Sequence, residues 1–363
     1  MNESFADLSV LGSEVQTNQP VTPFLDSLCE NTVRGFALAS VFGGGTANSE
    51  FEFLTGSSMA NLPMGSIPYQ QYITGDIFAL PWLMDSLGYR CVATHPFVSS
   101  GWNRPAVYPH LGFSEISFVE AYSGRSEFRE FISDRGMYEY MLEMLEGQKD
   151  EPLFLFGITM QNHGDYIYSG SNYEQTIFLE GYDQEYPMAE QYLTLLHESD
   201  NALAYLLTEL SNVPEDTVVL FFGDHLPQIE GDFLQAVHGG TFDTLSERML
   251  QYKVPFLIWA NYDIPEQTVQ CIGLNYLAVY LLKAAGVELP PYYRFLDEME
   301  HSVPAMNSLG YYSLSEQTFL SLEEAQGEEA KWMNRYAMLQ YNNIFDDKNR
   351  NQTFFQQYID DQH

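Results

Sequence analysis

Residues that could hold a divalent cation follow directly after a strongly apolar run of the sequence. Thr217–Phe222 reads TVVLFF, and Gly223, Asp224 and His225 come next. Ligands of an open α/β sheet bind beyond the carboxyl ends of its strands, so this carboxylate and imidazole could share one ion. Carboxylate oxygen and imidazole nitrogen suit Mn²⁺, Mg²⁺ or Zn²⁺. The alternative is a simple turn, in which glycine supplies backbone freedom and aspartate closes an Asx-turn.

A hydroxyl group that could act as a nucleophile follows three consecutive glycines. These glycines, at positions 43–45, come after the predicted strand Val33–Ser40, and Thr46 stands where a helix is expected to begin. Free N–H groups and the dipole at a helix N-terminus stabilise negative charge, such as an alkoxide at Thr46 or a neighbouring phosphoryl oxygen. Thr46 could instead be only an N-cap, which is a common role for threonine.

Three more candidates lie near other predicted strand ends. Glu3 would project from the carboxyl end of a strand if one runs just upstream of it. His163 follows the apolar run Pro152–Met160 and could donate a hydrogen bond or shuttle a proton. Arg104 stands close to Trp102, a pairing that suits clamping a phosphate against an apolar wall. The simpler alternatives are an acidic residue at a frayed end, a loop histidine and a surface arginine.

These candidates come from different strand ends, so one α/β fold would gather them into one crevice. They then supply two acidic ligands, an imidazole, a hydroxyl nucleophile, an arginine and a further histidine. Such a set suffices for in-line phosphoryl transfer through a covalent phosphothreonine, because a metal would lower the pKa of the threonine hydroxyl and neutralise developing charge.

The charge balance narrows the classes of partner. Fifteen Lys and Arg stand against fifty Asp and Glu, a formal net charge of −35 over 363 residues. This surface repels nucleic acid, whose binding needs a basic footprint, so no nucleic-acid partner is expected. An anionic substrate would need a local positive site, which a bound divalent cation provides. The three cysteines show neither a disulfide framework nor zinc-finger spacing.

Short apolar runs alternate with helical patterns, which predicts an α/β fold, a three-layer sandwich with a mainly parallel central sheet. The predicted strands are Val33–Ser40, Arg90–His95, Pro152–Met160, Thr217–Phe222 and Val254–Ala260. The predicted helices are Thr22–Asn31, Ala79–Leu87, Ser126–Glu146, Ala189–Leu210 and Gln270–Ala285. Residues 152–160 and 217–222 are near-continuous apolar runs, typical of central strands covered on both faces.

The last part of the chain differs in composition. It is rich in Glu, Gln, Asn and Tyr from about Ser313, and a helical period runs through Leu314–Leu339. We therefore expect a main domain over residues 1–300 and a smaller C-terminal element, α/β or helical, over residues 301–363 packed on it. No run of eighteen apolar residues and no signal peptide is visible in the sequence.

Five ordered motifs resemble the extracellular catalytic domain of lipoteichoic acid synthases and related phosphoglycerol transferases, within the alkaline phosphatase and sulfatase superfamily. They span residues 1 to about 225. The matching stretches are MNES, GGGTANSEFEFLTG with the later LPMGSIPYQQY, HPFVSSGWNRPAVYPHLGF, ITMQNHGDY and FFGDH. The stretch after GDH, LPQIEGDFLQAVHGG, departs from the family's pattern, so His238 receives no role.

The resemblance implies a role for each matching residue. Metal ligands are expected at Glu3, Thr46, Asp224 and His225, with Thr46 also the catalytic nucleophile. The substrate-binding residues that it implies are His95, Trp102, Arg104 and His163. The metal expected from the family is Mn²⁺, with Mg²⁺ possible. Sulfatase chemistry is disfavoured, because the residues around Thr46 lack the C/S-x-P-x-R context that makes formylglycine.

The function implied is transfer of glycerol phosphate from the head group of phosphatidylglycerol to a glycerol-phosphate or glycan acceptor. The family's members act at the extracellular face of the cell membrane and carry N-terminal membrane helices that this sequence lacks. The resemblance therefore implies a catalytic domain that begins just inside its first core strand. Two alternatives stay open, a hydrolase of the same superfamily and a non-catalytic domain that binds anionic polymers.

Overall fold

A mainly parallel sheet flanked by helices forms the core of the protein, seen in a computed structural model that describes residues 1–147 and 151–360. The strands are β1 Thr32–Leu38, β2 Arg90–Thr94, β3 Glu115–Ser117, β4 Glu127–Phe128, β5 Phe131–Ile132, β6 Leu153–Gly157, β7 Val218–Phe222, β8 Lys253–Ala260, β9 Gln267–Gly273, β10 Met306–Asn307, β11 Gly310–Ser313 and β12 Thr318–Leu320. The helices are α1 Pro23–Ser27, α2 Thr46–Thr55, α3 Pro68–Gln71, α4 Leu80–Ser86, α5 Arg104–His110, α6 Asp134–Glu146, α7 Pro187–Leu210, α8 Gly231–His238, α9 Leu245–Leu250, α10 Leu277–Ala284, α11 Pro291–Glu300, α12 Gly327–Phe345 and α13 Gln357–Asp360. No helix in these described ranges has both the length and the apolar character needed to cross a bilayer.

The central sheet has two groups of strands, in the orders β3–β2–β6 and β7–β8–β1–β9. The strand β2 runs parallel to both β3 and β6, and β1 runs parallel to β9. The strand β8 runs antiparallel to its neighbours β7 and β1. The expected α/β fold with a mainly parallel sheet is confirmed, with β8 reversed.

The N-terminal residues lie between the two groups and join them. The amino group of Met1 donates to Gly157 O at 2.9 Å, and Asn2 N donates to Phe222 O at 2.8 Å. This segment runs parallel to β7 and carries Glu3 to the carboxyl ends of the strands. That a core strand runs upstream of Met1 stays a prediction.

The two apolar strands that we expected to be buried on both faces are fully buried only in their carboxyl halves. Residues 156–157 and 221–222 are buried, whereas residues 153–155 and 218–220 are half-buried. An apolar cavity of about 230 Å³ lies along the half-buried part. Met1 and Asn2 cover the carboxyl ends of these strands, through contacts with Gly157 and Phe222.

Two predicted helices begin later than expected. Within Ser126–Glu146 the chain first forms the antiparallel pair β4 and β5, and α6 begins only after Ser133, whose side chain accepts a hydrogen bond from Gly136 N. The first part of Gln270–Ala285 belongs to β9, because it pairs in parallel with β1, and α10 begins at Leu277. In the second case non-local pairing prevailed over the local helical period.

The C-terminal part contains a sheet as well as a helix. The strands β10, β11 and β12 form a three-stranded antiparallel sheet, so the helix expected over Leu314–Leu339 is wrong in its first half. The long helix α12 begins at Gly327 instead. This part packs on the rest of the chain, since Tyr336 Oη donates to Gly56 O at 2.7 Å. Residues 361–363 of the predicted element lie outside the described residues, and its boundary at residue 301 stays a prediction.

Candidate active site

The structure brings Glu3, Asp224 and His225 together at the carboxyl end of β7. Their candidate ligand atoms all lie within 4.8 Å of one another. His225 Nε2 is 3.2 Å from Asp224 Oδ2 and 3.6 Å from Glu3 Oε1. All three side chains are buried, so this cluster of two carboxylates and an imidazole is shielded from bulk water.

A close approach of two backbone segments explains the glycine of the Gly-Asp-His sequence. A Cβ atom on Gly223 would lie 1.8 Å from Phe5 O, so any side chain there would push the N-terminal segment away. The approach lets Ser4 N donate to Asp224 Oδ1 at 2.7 Å, and His225 N donates to the same oxygen at 2.9 Å. The carboxylate of Asp224 is thereby fixed by one oxygen.

The second carboxylate oxygen of Asp224 and the imidazole of His225 are available to bind a ligand. Asp224 Oδ2 and His225 Nε2 are buried atoms without a hydrogen-bond partner among the described residues. His225 Nδ1 donates to Leu226 O at 2.9 Å, which puts the lone pair of the neutral ring on Nε2. Buried polar atoms without partners are rare, and a divalent cation between these side chains would satisfy both. The donor set therefore fits Mn²⁺, Mg²⁺ or Zn²⁺.

The electrostatics of the cluster agree with that fit. Burial, and then the neighbouring Glu3 carboxylate, raise the pKa of Asp224 to about 6. Burial lowers the pKa of His225, but Asp224 and Glu3 outweigh burial and hold this pKa above its ordinary value. Both shifts show that the site attracts positive charge, which a proton or a cation can supply.

Thr46 is the first residue of α2 and lies against this cluster. Its Oγ1 donates to Glu3 Oε2 at 3.2 Å, and the residue is 5% exposed. Gly45 precedes it with φ of +94°, a left-handed conformation that favours glycine and turns the chain into the helix. The hydroxyl therefore sits at a helix N-terminus beside two carboxylates, where phosphoryl oxygens are also stabilised.

Arg104 is held by a carboxylate that the sequence analysis missed. Arg104 Nη2 donates to Glu50 Oε1 at 2.6 Å, Arg104 Nε donates to the same oxygen at 3.0 Å, and Tyr108 Oη donates to Glu50 Oε2 at 2.7 Å. Burial lowers the pKa of Arg104, but Glu50 outweighs it and holds this pKa above its ordinary value. The available signal was spacing, because Glu50 follows Thr46 by four residues and so shares its helix face.

His95 is a neutral histidine in the same cavity. Its Nδ1 donates to Ile158 O at 2.9 Å, which leaves Nε2 as an acceptor. Burial, and then the nearby Arg104, lower the pKa of His95 to about 3. The ring therefore stays uncharged at neutral pH and can accept a hydrogen bond from a hydroxyl group.

Trp102 and His163 occupy loops at the cavity wall. Trp102 has φ of +57°, which is strained for a residue other than glycine and is common at functional sites. His163 is exposed, and its ring stacks on Phe97 at a centroid distance of 6.5 Å. Its Nδ1 donates to Gly164 O at 2.8 Å, so Nε2 carries the lone pair.

A second residue missed by sequence reasoning, Arg129, holds the loop that carries His163. Its Nη2 donates to Gln161 O at 2.7 Å and to His163 O at 2.6 Å, and its Nη1 donates to Asp165 O at 2.9 Å. One guanidinium thus fixes three carbonyls within five residues. No local pattern marks this arginine, because its partners lie more than thirty positions away.

Seven of the eight predicted site residues line one cavity of about 530 Å³, and Asp224 lies beneath it in contact with His225. The lining members are Glu3, Thr46, His95, Trp102, Arg104, His163 and His225. The cavity therefore offers a candidate cation site, a hydroxyl nucleophile and a paired arginine around one space. This combination can bind an anionic phosphoryl group and exchange its ester partners.

Comparison with known proteins assigns the chain to a family. A sequence model of the sulfatase family matches residues 1–287. A curated relative from Rhizobium meliloti (strain 1021), named a putative cyclic beta-1,2-glucan modification protein, is 32% identical over 310 residues. That alignment covers 82% of this chain and 47% of the relative, so the chain spans about half the length of that relative.

Two solved structures share the fold. The Streptococcus pyogenes phosphoglycerol transferase GacH, in complex with sn-glycerol-1-phosphate, matches with a TM-score of 0.77 and 22% identity, over 95% of this chain and 84% of that one. The lipoteichoic acid synthase LtaP from Listeria monocytogenes matches with a TM-score of 0.68 and 19% identity, over 95% and 91%. The resemblance drawn from the motifs is confirmed: the chain belongs to the sulfatase family and has the fold of phosphoglycerol transferase domains of the alkaline phosphatase superfamily.

Proposed function

We propose that this chain is a metal-dependent phosphoglycerol transferase with Thr46 as its nucleophile. It takes glycerol phosphate from phosphatidylglycerol and passes it to a glycerol or glycan acceptor, at the extracellular face of the cell membrane. The observation that carries the proposal is the contact of Thr46 Oγ1 with Glu3, next to two buried ligand atoms that have no hydrogen-bond partner in the described part of the chain. A sulfatase would need a formylglycine precursor, and the threonine at position 46 is not one.

The first half-reaction forms a covalent enzyme intermediate. Mn²⁺ or Mg²⁺ would be held by Glu3, Asp224, His225 and Thr46. The bound ion would lower the pKa of the Thr46 hydroxyl and neutralise charge on the phosphoryl group. Thr46 Oγ1 gives up its proton and forms a bond to phosphorus, while the bond from phosphorus to the diacylglycerol oxygen breaks. Diacylglycerol leaves with a proton on that oxygen, and the glycerol phosphate stays on Thr46.

The other wall residues hold the glycerol phosphate. Glu50 orients Arg104 by accepting hydrogen bonds from its Nε and Nη2. The third nitrogen, Nη1, does not bond to Glu50 and can donate to a phosphoryl oxygen. Neutral His95 accepts a hydrogen bond from a glycerol hydroxyl, and His163 faces the same space from the opposite loop. Trp102 supplies an apolar wall against the glycerol carbons.

The descriptions of related proteins support this choice of substrates. GacH is described as a phosphoglycerol transferase and was solved with a glycerol phosphate, which agrees with the group transferred here. The Rhizobium meliloti relative is described as modifying a glucan, which agrees with a carbohydrate acceptor. The strongly acidic surface also requires a local positive site for an anionic donor, and a cation held by Glu3, Asp224 and His225 would provide it together with Arg104.

Thr46→Ala tests the proposal. We expect diacylglycerol release from phosphatidylglycerol vesicles with Mn²⁺ to fall at least about 1,000-fold, because the nucleophile is lost. We also expect the wild-type protein, but not this variant, to gain the mass of one phosphoglyceryl group in intact mass spectrometry. Thr208→Ala is the matched control, because Thr208 lies exposed on α7 and its hydroxyl donates to Ala204 O on the same helix. Retained activity in Thr46→Ala, with unfolding midpoints equal to wild type, would refute the mechanism.

A further inference from the structure

A second cavity adjoins the candidate active site. It has a volume of about 440 Å³, within the ~300–1,000 Å³ range of ligand pockets. Gly164 and Asp165 line both cavities, so the two cavities adjoin at this segment. A molecule in the second cavity therefore lies next to the space where a phosphoryl group on Thr46 would be held.

Aromatic rings connect the two cavities. Phe97 and His163 line the first cavity, and Phe131 lines the second. The Phe131 ring is 5.7 Å from the His163 ring and 6.1 Å from the Phe97 ring. Tyr168 adds another aromatic side chain to the second cavity. A row of ring contacts thus runs from one cavity to the other.

Polar and charged groups surround this aromatic wall. The carboxylates of Glu130 and Asp165 and the hydroxyl of Ser169 lie among its lining residues. Arg129 is the one cation among the described residues that line the cavity, and its guanidinium is committed to three backbone carbonyls. The cavity therefore offers acceptors for hydroxyl groups, whereas the N–H groups of Arg129 are turned to carbonyls or buried, since this residue is only 4% exposed.

We propose that the second cavity is the acceptor subsite and that it binds a neutral glycan. A sugar ring has apolar C–H faces that pack on aromatic side chains and hydroxyl edges that donate to carboxylates. A glycerol-phosphate polymer carries a negative charge on every unit, so Glu130, Asp165 and the net charge of −35 disfavour it. This inference rests on the proposed transferase function and names its acceptor class.

The second half-reaction then follows from the position of the subsite. A sugar hydroxyl oxygen forms a bond to the phosphorus held on Thr46, and the bond from phosphorus to Thr46 Oγ1 breaks. The proton of the sugar hydroxyl ends on Thr46 Oγ1, which regains its hydroxyl. Binding of the glycan beside Gly164 brings its hydroxyl to the face of the phosphoryl group that water would otherwise reach.

The competition between hydrolysis and transfer to a sugar tests the subsite. The wild-type protein receives phosphatidylglycerol vesicles, Mn²⁺ and a neutral gluco-oligosaccharide, and free and sugar-linked glycerol phosphate are quantified. We expect Tyr168→Ala to lower the ratio of transfer to hydrolysis at least about tenfold. The matched control is Phe178→Ala, because Phe178 is 47% exposed and lines neither cavity. An unchanged ratio in Tyr168→Ala, or transfer to a glycerol-phosphate oligomer faster than to the sugar, overturns the inference.

Direct binding separates this inference from the proposed function. Saturation-transfer NMR with the same oligosaccharide needs no donor and no turnover. We expect a signal with the wild-type protein and its loss in Tyr168→Ala. If the wild-type protein releases no diacylglycerol, the transferase function fails, yet Tyr168-dependent binding of the sugar still supports the subsite. Donor cleavage without such binding refutes the subsite alone.

Discussion

The buried pair of Glu50 and Arg104 shows how a motif residue to which the sequence analysis assigned no role can set the properties of a site. Glu50 is 0% exposed and Arg104 is 2% exposed, so neither charge is screened by bulk water. Removing one partner of such a pair leaves an uncompensated buried charge, which is far less favourable than losing both. Glu50 therefore controls both the orientation of Arg104 and the stability of the α2–α5 contact.

Glu50→Gln should lower the free energy of unfolding by about 3 kcal/mol, because the Arg104 cation loses its buried counter-charge. Urea unfolding followed by circular dichroism measures the change. Glu209→Gln on α7 is the matched control, since Glu209 is exposed and should change stability little. A Glu50→Gln variant that unfolds at the wild-type urea midpoint would show that the pair orients Arg104 without stabilising the fold.

At the scale of elements, the segment of residues 161–166 forms the wall between the two cavities. It follows β6 and has no regular secondary structure of its own. Three of its carbonyls depend on Arg129, which also lies over the Tyr166 ring at 5.8 Å. The hairpin of β4 and β5 places Arg129 there, because the residue occupies its turn with φ of +56°.

Arg129→Ala should speed amide hydrogen exchange in residues 161–166 and slow transfer about tenfold or more, since His163 loses its fixed position. Exchange mass spectrometry and the diacylglycerol assay measure the two effects. Arg129→Lys should recover only part of the loss, because one ammonium cannot span three carbonyls as a guanidinium does. The control is Arg335→Ala on α12, whose arginine is exposed. Wild-type exchange in Arg129→Ala would contradict this role.

At the scale of the whole molecule, buried carboxyl groups make stability depend on pH. Glu52 on α2 is 1% exposed, and its Oε1 accepts hydrogen bonds from Ser40 Oγ at 2.8 Å and Met59 N at 2.8 Å. Burial raises the pKa of Glu52 to about 7 from its ordinary 4.5. The folded state therefore favours the protonated form, and its contribution to stability is present below pH 4.5 and lost as pH rises through 7.

Glu52→Gln should remove this dependence, because the amide imitates the protonated carboxyl. We expect the variant to be more stable than the wild type by about 3 kcal/mol above pH 7 and equally stable below about pH 4.5. Urea unfolding across this range gives the difference between the two proteins at each pH. A difference that stays constant with pH would show that Glu52 titrates alike in the folded and unfolded states.

The local sequence by itself determined those features of the protein that a pattern of a few neighbouring residues predicts. The apolar runs at β1, β2, β6, β7 and β8 gave the strands, and the alternation with helices gave the mainly parallel sheet. Residues at strand ends share one edge of such a sheet, so the convergence of Thr46, Asp224 and His225 was predictable before any contact was seen. Their roles in catalysis stay predictions.

Only the tertiary structure decided the features that depend on distant partners. The pairing of Glu50 with Arg104 joins residues 54 positions apart, and Arg129 reaches carbonyls across 32 to 36 positions. The strand β9 replaced the first part of a predicted helix because β1 offered it a parallel neighbour. The spacing from Thr46 could mark Glu50, but no local period or spacing specifies these distant partners, since their stabilisation arises only when the packed sheet brings the segments together.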